Sequence, residues 1–253
     1  MTVRELYEKL SARIPEELSE SWDNDGIMCC SDDYREVERV LVALDVTDEV
    51  VDYAIDNGFD VIISHHPLVF KPISSVNPDN HISRKLIKLI KADVSVLSFH
   101  TRADKVRGGV NDCLARLLQL ADVEPFGEDG LGRIGSLPEE RELENFAEDV
   151  KMLLGADTVR FADAYNAVKR VALVGGDGKS YVDEARDIGA DTYISGRIGY
   201  NVMEEAEELG INLIEAGHYY TELPITTFFS TLVSSIDGNA YIEIADSNMI
   251  KSV

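Results

Sequence analysis

The chain has 253 residues, of which 47 are acidic and 24 basic, giving a formal net charge of −23. Hydrophobic residues make up 45 %, which excludes disorder along the whole chain, because disorder needs high charge together with low hydrophobicity. The acid excess disfavours nucleic-acid backbones and anionic membranes as partners, since both are bound through Lys and Arg.

The length fits one large α/β domain or two small ones. No apolar run approaches the ~20 residues of a membrane span. Met1-Thr2-Val3-Arg4-Glu5 shows no charged leader before an apolar stretch, so no signal peptide is expected. The cysteines, Cys29, Cys30 and Cys113, form no CxxC pair. That pattern points to reduced thiols in a cytoplasm and away from a structural zinc finger.

Thr2-Val3-Arg4-Glu5 is a capping box that opens a helix over about 3–13, ended by Pro15. A turn-rich stretch, Ser21 to Gly26, holds the single tryptophan. Val40 to Leu44 then reads as a strand buried on both faces. Thr47 caps a helix through Asn57, with Gly58 at its stop. Asp60–Ser64 is a second strand, Ser83–Lys91 a helix, and Val94–Phe99 a third strand. A helix follows over about 109–119.

The second half repeats the scheme. Val168–Val174 is a strand, about 180–188 a helix, Asp191–Ser195 a strand, 200–209 a helix and Asn212–Ala216 a strand. A helix starts at Pro224, a favourable first position, and Ala240–Ala245 is a closing strand. This alternation predicts an α/β fold of two similar halves with mainly parallel sheets. The expected division is 1–125 and 126–253, with the C-terminal part able to pack back on the first half.

Residues 40–66 align without gaps on 171–197, and nine of the 27 positions are identical, against roughly one or two by chance. Shared βαβ patterning is the plain explanation; two related halves is the sharper one. The strand ends agree with the second. His100-Thr101-Arg102-Ala103-Asp104 and His218-Tyr219-Tyr220-Thr221-Glu222 both read His-x-x-x-carboxylate after the third strand of a half. Ligand sites of open α/β sheets lie beyond the carboxyl ends of strands, so a cleft between the halves is the expected site.

Four of the five histidines, His65, His66, His100 and His218, directly follow predicted strands, while His81 falls in a surface loop. In Ser64-His65-His66-Pro67, side-chain alternation would point the adjacent histidines apart, towards two different metals. Asp104 and Glu222 add oxygen donors. Such a mixed set suits zinc, manganese, iron, cobalt or nickel without choosing among them.

Four motifs in order carry a resemblance. They are Trp22-Asp23-Asn24-Asp25-Gly26, His65-His66-Pro67-Leu68, His100-Thr101-x-x-Asp104 running into Gly109-Val110-Asn111-Asp112, and Gly217-His218-x-x-Thr221-Glu222. Together they resemble the dinuclear-metal family of GTP cyclohydrolase 1 type 2 homologues, also called the Nif-three-like family. The resemblance spans residues 22–222, essentially the whole chain. It implies two divalent metal ions held by His65, His66, Asp104, His218 and Glu222, with Glu222 bridging. It further implies that His100 orients a ligand or water, or moves a proton in catalysis, and that the chain assembles as a ring-shaped homohexamer. Arg197 and Asn201 stand where the family usually has an acid and a histidine. Arg197 either faces an anionic substrate or sits in a surface salt bridge.

Weaker features have two readings each. Gly175-Gly176-Asp177-Gly178-Lys179-Ser180 resembles a phosphate loop but fits no such spacing, so a tight βα turn is expected. Arg107-Gly108-Gly109 either approaches a phosphate or starts a helix. Cys29-Cys30 either binds metal or fills a core. Glu204, Glu205, Glu207 and Glu208 mark a solvated helix face. Trp22 to Gly26 either lines the cleft through Asp23 and Asn24 or forms an Asx-type turn anchored by a buried tryptophan.

Two functions from different classes are therefore expected. One is a cytoplasmic metal-dependent hydrolase acting on a small phosphorylated or nucleotide-like molecule. The other is a non-catalytic metal-binding regulator or ring scaffold for protein partners. Direct nucleic-acid binding and membrane association are not expected at this charge.

Overall fold

The computed structural model describes residues 1–251. The chain folds as two compact units, one of Met1–Val106 with Ile225–Ile250, the other of Arg107–Pro224. The change of unit thus comes earlier than the expected boundary at 125/126, and the chain returns to the first unit at Ile225.

The first unit opens with α1 (Val3–Ser11), β1 (Gly26–Cys29), β2 (Arg39–Ala43), α2 (Asp48–Asp56) and β3 (Val61–Ser64). It continues through α3 (His81–Ala92), β4 (Ser95–Ser98) and α4 (Thr101–Lys105). The capping box forms as expected, with Glu5 N donating to Thr2 Oγ1 at 3.2 Å and Thr2 N to the Glu5 carboxylate at 3.1 Å. Val3, Leu6 and Leu10 make the buried stripe of α1. Thr47 caps α2 by accepting from Val50 N at 3.1 Å. The third helix starts earlier than Ser83, because Asn80 Oδ1 accepts from both Ile82 N and Ser83 N at 3.0 Å. His81 is therefore the exposed first residue of a helix and not part of a loop.

In the second unit follow α5 (Val110–Leu117), β5 (Ala121–Phe126), β6 (Gly132–Arg141), α6 (Leu143–Leu154), β7 (Arg160–Ala162) and β8 (Val168–Asp177). Then come α7 (Val182–Asp187), β9 (Thr192–Arg197), α8 (Tyr200–Glu204), α9 (Ala206–Leu209), β10 (Asn212–Glu215) and α10 (His218–Glu222). The expected helix over 200–209 is broken at Glu205 into two short pieces, whose glutamates are all exposed. The chain then passes through α11 (Pro224–Ile236) and β11 (Tyr241–Ile244).

The first unit holds a five-stranded sheet in the order β1-β4-β3-β2-β11. Its ladders are parallel except for β1, an antiparallel edge on β4. The second holds a six-stranded sheet, β5-β6-β8-β9-β10-β7. There β8, β9 and β10 run parallel, while β5, β6 and β7 add antiparallel flanks. The central parallel strands β3, β4, β9 and β10, with most of β2 and β8, are buried, whereas the parallel edge strand β11 is half-exposed. In β8, Val171 and Leu173 join a cluster with Phe146, Val150 and Leu114 on one face. Ala172 and Val174 join Val182, Ala185 and Tyr193 on the other.

The internal repeat holds at the level of register. Val40 pairs with Val61 and Ala43 with Ser64, just as Val171 pairs with Thr192 and Val174 with Ser195. The third strands carry it on, Ser98 opposite Ser64 and Glu215 opposite Ser195. In that frame α4 and α10 begin at equivalent positions, Thr101 and His218. His100 thus precedes its helix while His218 opens one, so the two His-x-x-x-carboxylate segments are displaced by one residue. On a helix that residue turns the pair by about 100°. Among the described residues, no helix is long and apolar enough to cross a membrane.

Candidate metal centre

The first unit brings four of the predicted site residues together at the carboxyl ends of β3 and β4. His65 and His66 lie just past Ser64, where the strand has ended. Their ring centroids are 5.0 Å apart with the planes tilted by 47°, and each also belongs to a donor group that lacks the other, as two separate metals would require. His100 completes the group, with its ring 5.3 Å from His65 and 5.6 Å from His66. One ligand nitrogen from each of the three lies within 4.8 Å of the others.

Each ring is held in the same sense. His65, fully buried, has Nδ1 3.0 Å from the Phe99 carbonyl, which can only accept, so Nδ1 carries a proton and Nε2 is the nitrogen turned towards the cluster. His66 Nδ1 lies 2.8 Å from Asp45 Oδ1, and His100 Nδ1 2.8 Å from Asp23 Oδ1. A carboxylate or carbonyl on the far nitrogen is how metal-binding imidazoles are oriented. The Ser64 hydroxyl donates to the His66 carbonyl at 2.9 Å and meets the Ser98 hydroxyl at 2.8 Å, fixing the backbone where the histidines leave. Asp104 Oδ1 is 3.5 Å from His65 Nε2.

The Trp22–Gly26 segment splints the His100 segment. Asp23 Oδ2 accepts from Thr101 N at 3.0 Å and from the Thr101 hydroxyl at 2.6 Å. Burial would raise the Asp23 carboxyl, but the His100 and Thr101 hydrogen bonds and the His100 charge outweigh it, holding Asp23 well below the usual carboxylate range. Asp25 Oδ2 accepts from His100 N at 3.3 Å and from Arg102 Nε at 3.0 Å. Arg102 is fully buried, its guanidinium 4.5 Å from the centre of the Phe99 ring. Burial pushes Asp25 up, partly offset by Arg102. Trp22 itself is 61 % exposed, so it is no buried anchor.

The second unit supplies the other two predicted ligands from α10. His218 Nε2 and Glu222 Oε2 are 3.0 Å apart, one helical turn from each other. Glu222 is buried, and its carboxylate fills the space over Gly176. A Cβ at Gly176 would stand 2.1 Å from Glu222 Oε1 and 3.3 Å from His218 Nε2. The glycine run is therefore a cradle for this pair. Its amides are already committed, Gly175 N to Asn111 Oδ1 at 2.7 Å, Gly176 N to Thr221 Oγ1 at 3.1 Å and Gly178 N to Ser195 Oγ at 3.0 Å. Those bonds take up the three glycine amides that a phosphate would otherwise use. Where the repeat places His65 in the first unit, the second has Gly196. A Cβ there would meet Thr221 Oγ1 at 2.5 Å, the Gly176 carbonyl at 2.6 Å and His218 Cα at 2.7 Å.

The remaining candidates take their plain readings. Arg107-Gly108-Gly109 starts α5, with Gly108 N donating to Asp112. Arg197 is an exposed arginine 3.8 Å from Asp177. Cys29 is buried in the first core, and burial pushes its thiol up to about 11. Sequence reasoning did not single out Asp45 or the role of Gly176. Asp45 directly follows the predicted strand ending at Leu44, and that position at a strand's carboxyl end was the available signal.

Comparison with known proteins places the chain in a family. The family model described as Duf34/NIF3 (NGG1p interacting factor 3) matches residues 1–252. A GTP cyclohydrolase 1 type 2 homolog of Clostridium perfringens is 33 % identical over 232 residues, covering 89 % of this chain and 88 % of that protein. One from Streptomyces coelicolor is 34 % identical over 233 residues, covering 87 % and 81 %. Among solved structures, a hypothetical protein of Staphylococcus aureus superposes with a TM-score of 0.92 at 29 % identity, covering 100 % of this chain and 99 % of that one. Reduced HcgD from Methanocaldococcus jannaschii gives a TM-score of 0.84 at 28 % identity, covering 96 % and 97 %. On the full-length family match and these relatives, the chain belongs to the Duf34/NIF3 family.

Proposed function

We propose that this protein is a metal-dependent hydrolase of a small phosphorylated or nucleotide-like molecule. Two divalent ions would be held by His65, His66 and Asp104 of the first unit and His218 and Glu222 of the second. The observation that carries this reading is the gathering of His65, His66 and His100, each with Nδ1 tied to Phe99, Asp45 or Asp23 and each offering a ring nitrogen within 4.8 Å of the others'. The donor set fits a borderline transition metal, and the Gly176 cradle leaves room for the Glu222 carboxylate. The bound ions would supply Lewis acidity, activating water at neutral pH and polarising a phosphoryl or carbonyl-like oxygen. In this reading His65 and His66 position, Asp104 and Glu222 balance charge, and His100, backed by Asp23, holds a proton for transfer at Nε2.

The test is elemental analysis of the protein as isolated, joined to a panel of phosphoesters, nucleotides and cyclic amides. About two ions per chain and turnover lost in His66→Ala and Glu222→Ala, with the fold retained, are expected. Folded, metal-loaded protein inert across the panel would defeat the reading. The family description as an interacting factor favours a second one, a non-catalytic metal-binding scaffold assembled as a homohexamer. In that case metal removal changes assembly or partner affinity, measured by sedimentation and pull-down, and an unchanged ring and unchanged partner binding would sink it.

A further inference from the structure

Trp22 and Phe70 stand beside the three-histidine group with their rings in water, 61 % and 41 % exposed. Large apolar rings are normally driven inward, so two held outward at one place need a reason. Their centroids are 6.2 Å apart and their planes meet at 77°. Each also meets His100 edge-on, Trp22 at 6.4 Å and 78° and Phe70 at 5.9 Å and 89°. The corner is tied from both sides. Asp23, next to Trp22, is bound to His100 and Thr101. Asn24 Nδ2 donates to the carbonyl of Val69, the residue before Phe70. The two rings therefore form two walls of a fixed right-angled corner, and an imidazole of the candidate centre forms the third.

From this geometry we infer that the corner is a subsite for a flat aromatic or heteroaromatic ring, and that the substrate class is one carrying its reacting group on such a ring. A planar ring can stack on one wall while meeting the other edge-on, the two arrangements aromatic pairs prefer. Aliphatic phosphates and ribose 5-phosphate carry no π-face for either arrangement. The inference rests on the hydrolase reading above and narrows it.

Trp22 is the only tryptophan of the chain, so its emission reports the corner directly. The probes are adenosine monophosphate, uridine monophosphate and nicotinamide mononucleotide, with ribose 5-phosphate as the ringless control. The protein is used with its metal as isolated. Saturable quenching by at least one ring-bearing probe and none by ribose 5-phosphate is expected. By equilibrium dialysis, Trp22→Ala should weaken that probe about ten-fold, Trp22→Phe should recover most of the loss, and metal content should stay constant. Equal binding of the control, no binding of any ring, or unchanged affinity in Trp22→Ala overturns the inference. So does a change of oligomeric state in Trp22→Ala without a change of affinity, which would make the corner a contact between copies. Ring-selective binding by protein that holds no metal would instead retain the corner and remove the hydrolase reading.

Discussion

Replacing Gly176 by alanine separates two effects that usually arrive together. The residue sits at φ +67, where an L side chain is strained by about 1–2 kcal/mol. The new Cβ would also fall 2.1 Å from Glu222 Oε1, whereas ordinary contact begins at 3.4 Å. The carboxylate must then retreat by about 1 Å or more, several times the ~0.2 Å over which metal–ligand distances hold. Gly189 is the control. It has φ +83 with nothing within 4 Å of an added Cβ, so alanine there brings the strain without the collision. Both variants should lose about 2–8 °C of melting temperature, read by thermal denaturation of the metal-free protein. Only Gly176→Ala should lose metal, by about 100-fold in affinity against a competing chelator. Native affinity in Gly176→Ala would refute the placement of Glu222 as a ligand. An equal metal loss in Gly189→Ala would show that strain alone explains the effect.

Three further outcomes follow from other parts of the molecule. Asp45→Ala should weaken metal binding by about 10–100-fold, because His66 loses the acceptor that orients it; chelator competition measures this, and an unchanged constant would show that the 2.8 Å contact is incidental. Arg102→Met leaves buried Asp25 without its cation and should cost about 3–5 kcal/mol in urea denaturation, part of which Asp25→Asn in the same chain restores; a loss under about 1 kcal/mol would contradict the splint. Burial would raise Glu215, but the amides of Gly199 and Ile198 and the Arg160 guanidinium outweigh it and lower its pKa, so its contribution is present above about 4.5 and disappears as pH falls through the lower folded value. Glu215→Gln should accordingly reduce stability at pH 7 and flatten the acid limb, and parallel limbs in mutant and native protein would count against this.

The elements legible in the sequence were those whose pattern is set by burial on both faces. Val40–Ala43 and Val171–Val174 are continuous apolar runs because helices cover both sides of each sheet. The segment between 120 and 167 gave no such signal at its strands. Ala121–Phe126 is a flank strand exposed at five of six positions and interrupted by Pro125, so it carries neither a run nor an alternation. The helix Leu143–Leu154 was also missed, although Leu143, Phe146, Ala147, Val150 and Leu154 recur at helical spacing and are all buried. The metal-type side chains were visible as strand-end histidines and carboxylates. Their supports were not, because Asp45 acts on His66 from 21 residues away and Gly176 acts by what it lacks. The one-residue displacement between the two His-x-x-x-carboxylate segments was likewise hidden, since only strand register fixes the frame.

The glycine at 196 has a historical consequence. At the equivalent place the first unit carries His65, and the central ladders of the two halves share their register from Val40–Ala43 and Val171–Val174 onward. Any side chain at 196 would strike the Gly176 carbonyl, His218 Cα and Thr221 Oγ1, two of which are backbone atoms and cannot swing aside. Whatever route produced the two halves, their present inequality works as a ratchet. A histidine at 196 could be lost by single substitution, but regaining one would require the helix bearing His218 and Glu222 to move first. The difference between the halves at this position is thus held in place by crowding alone.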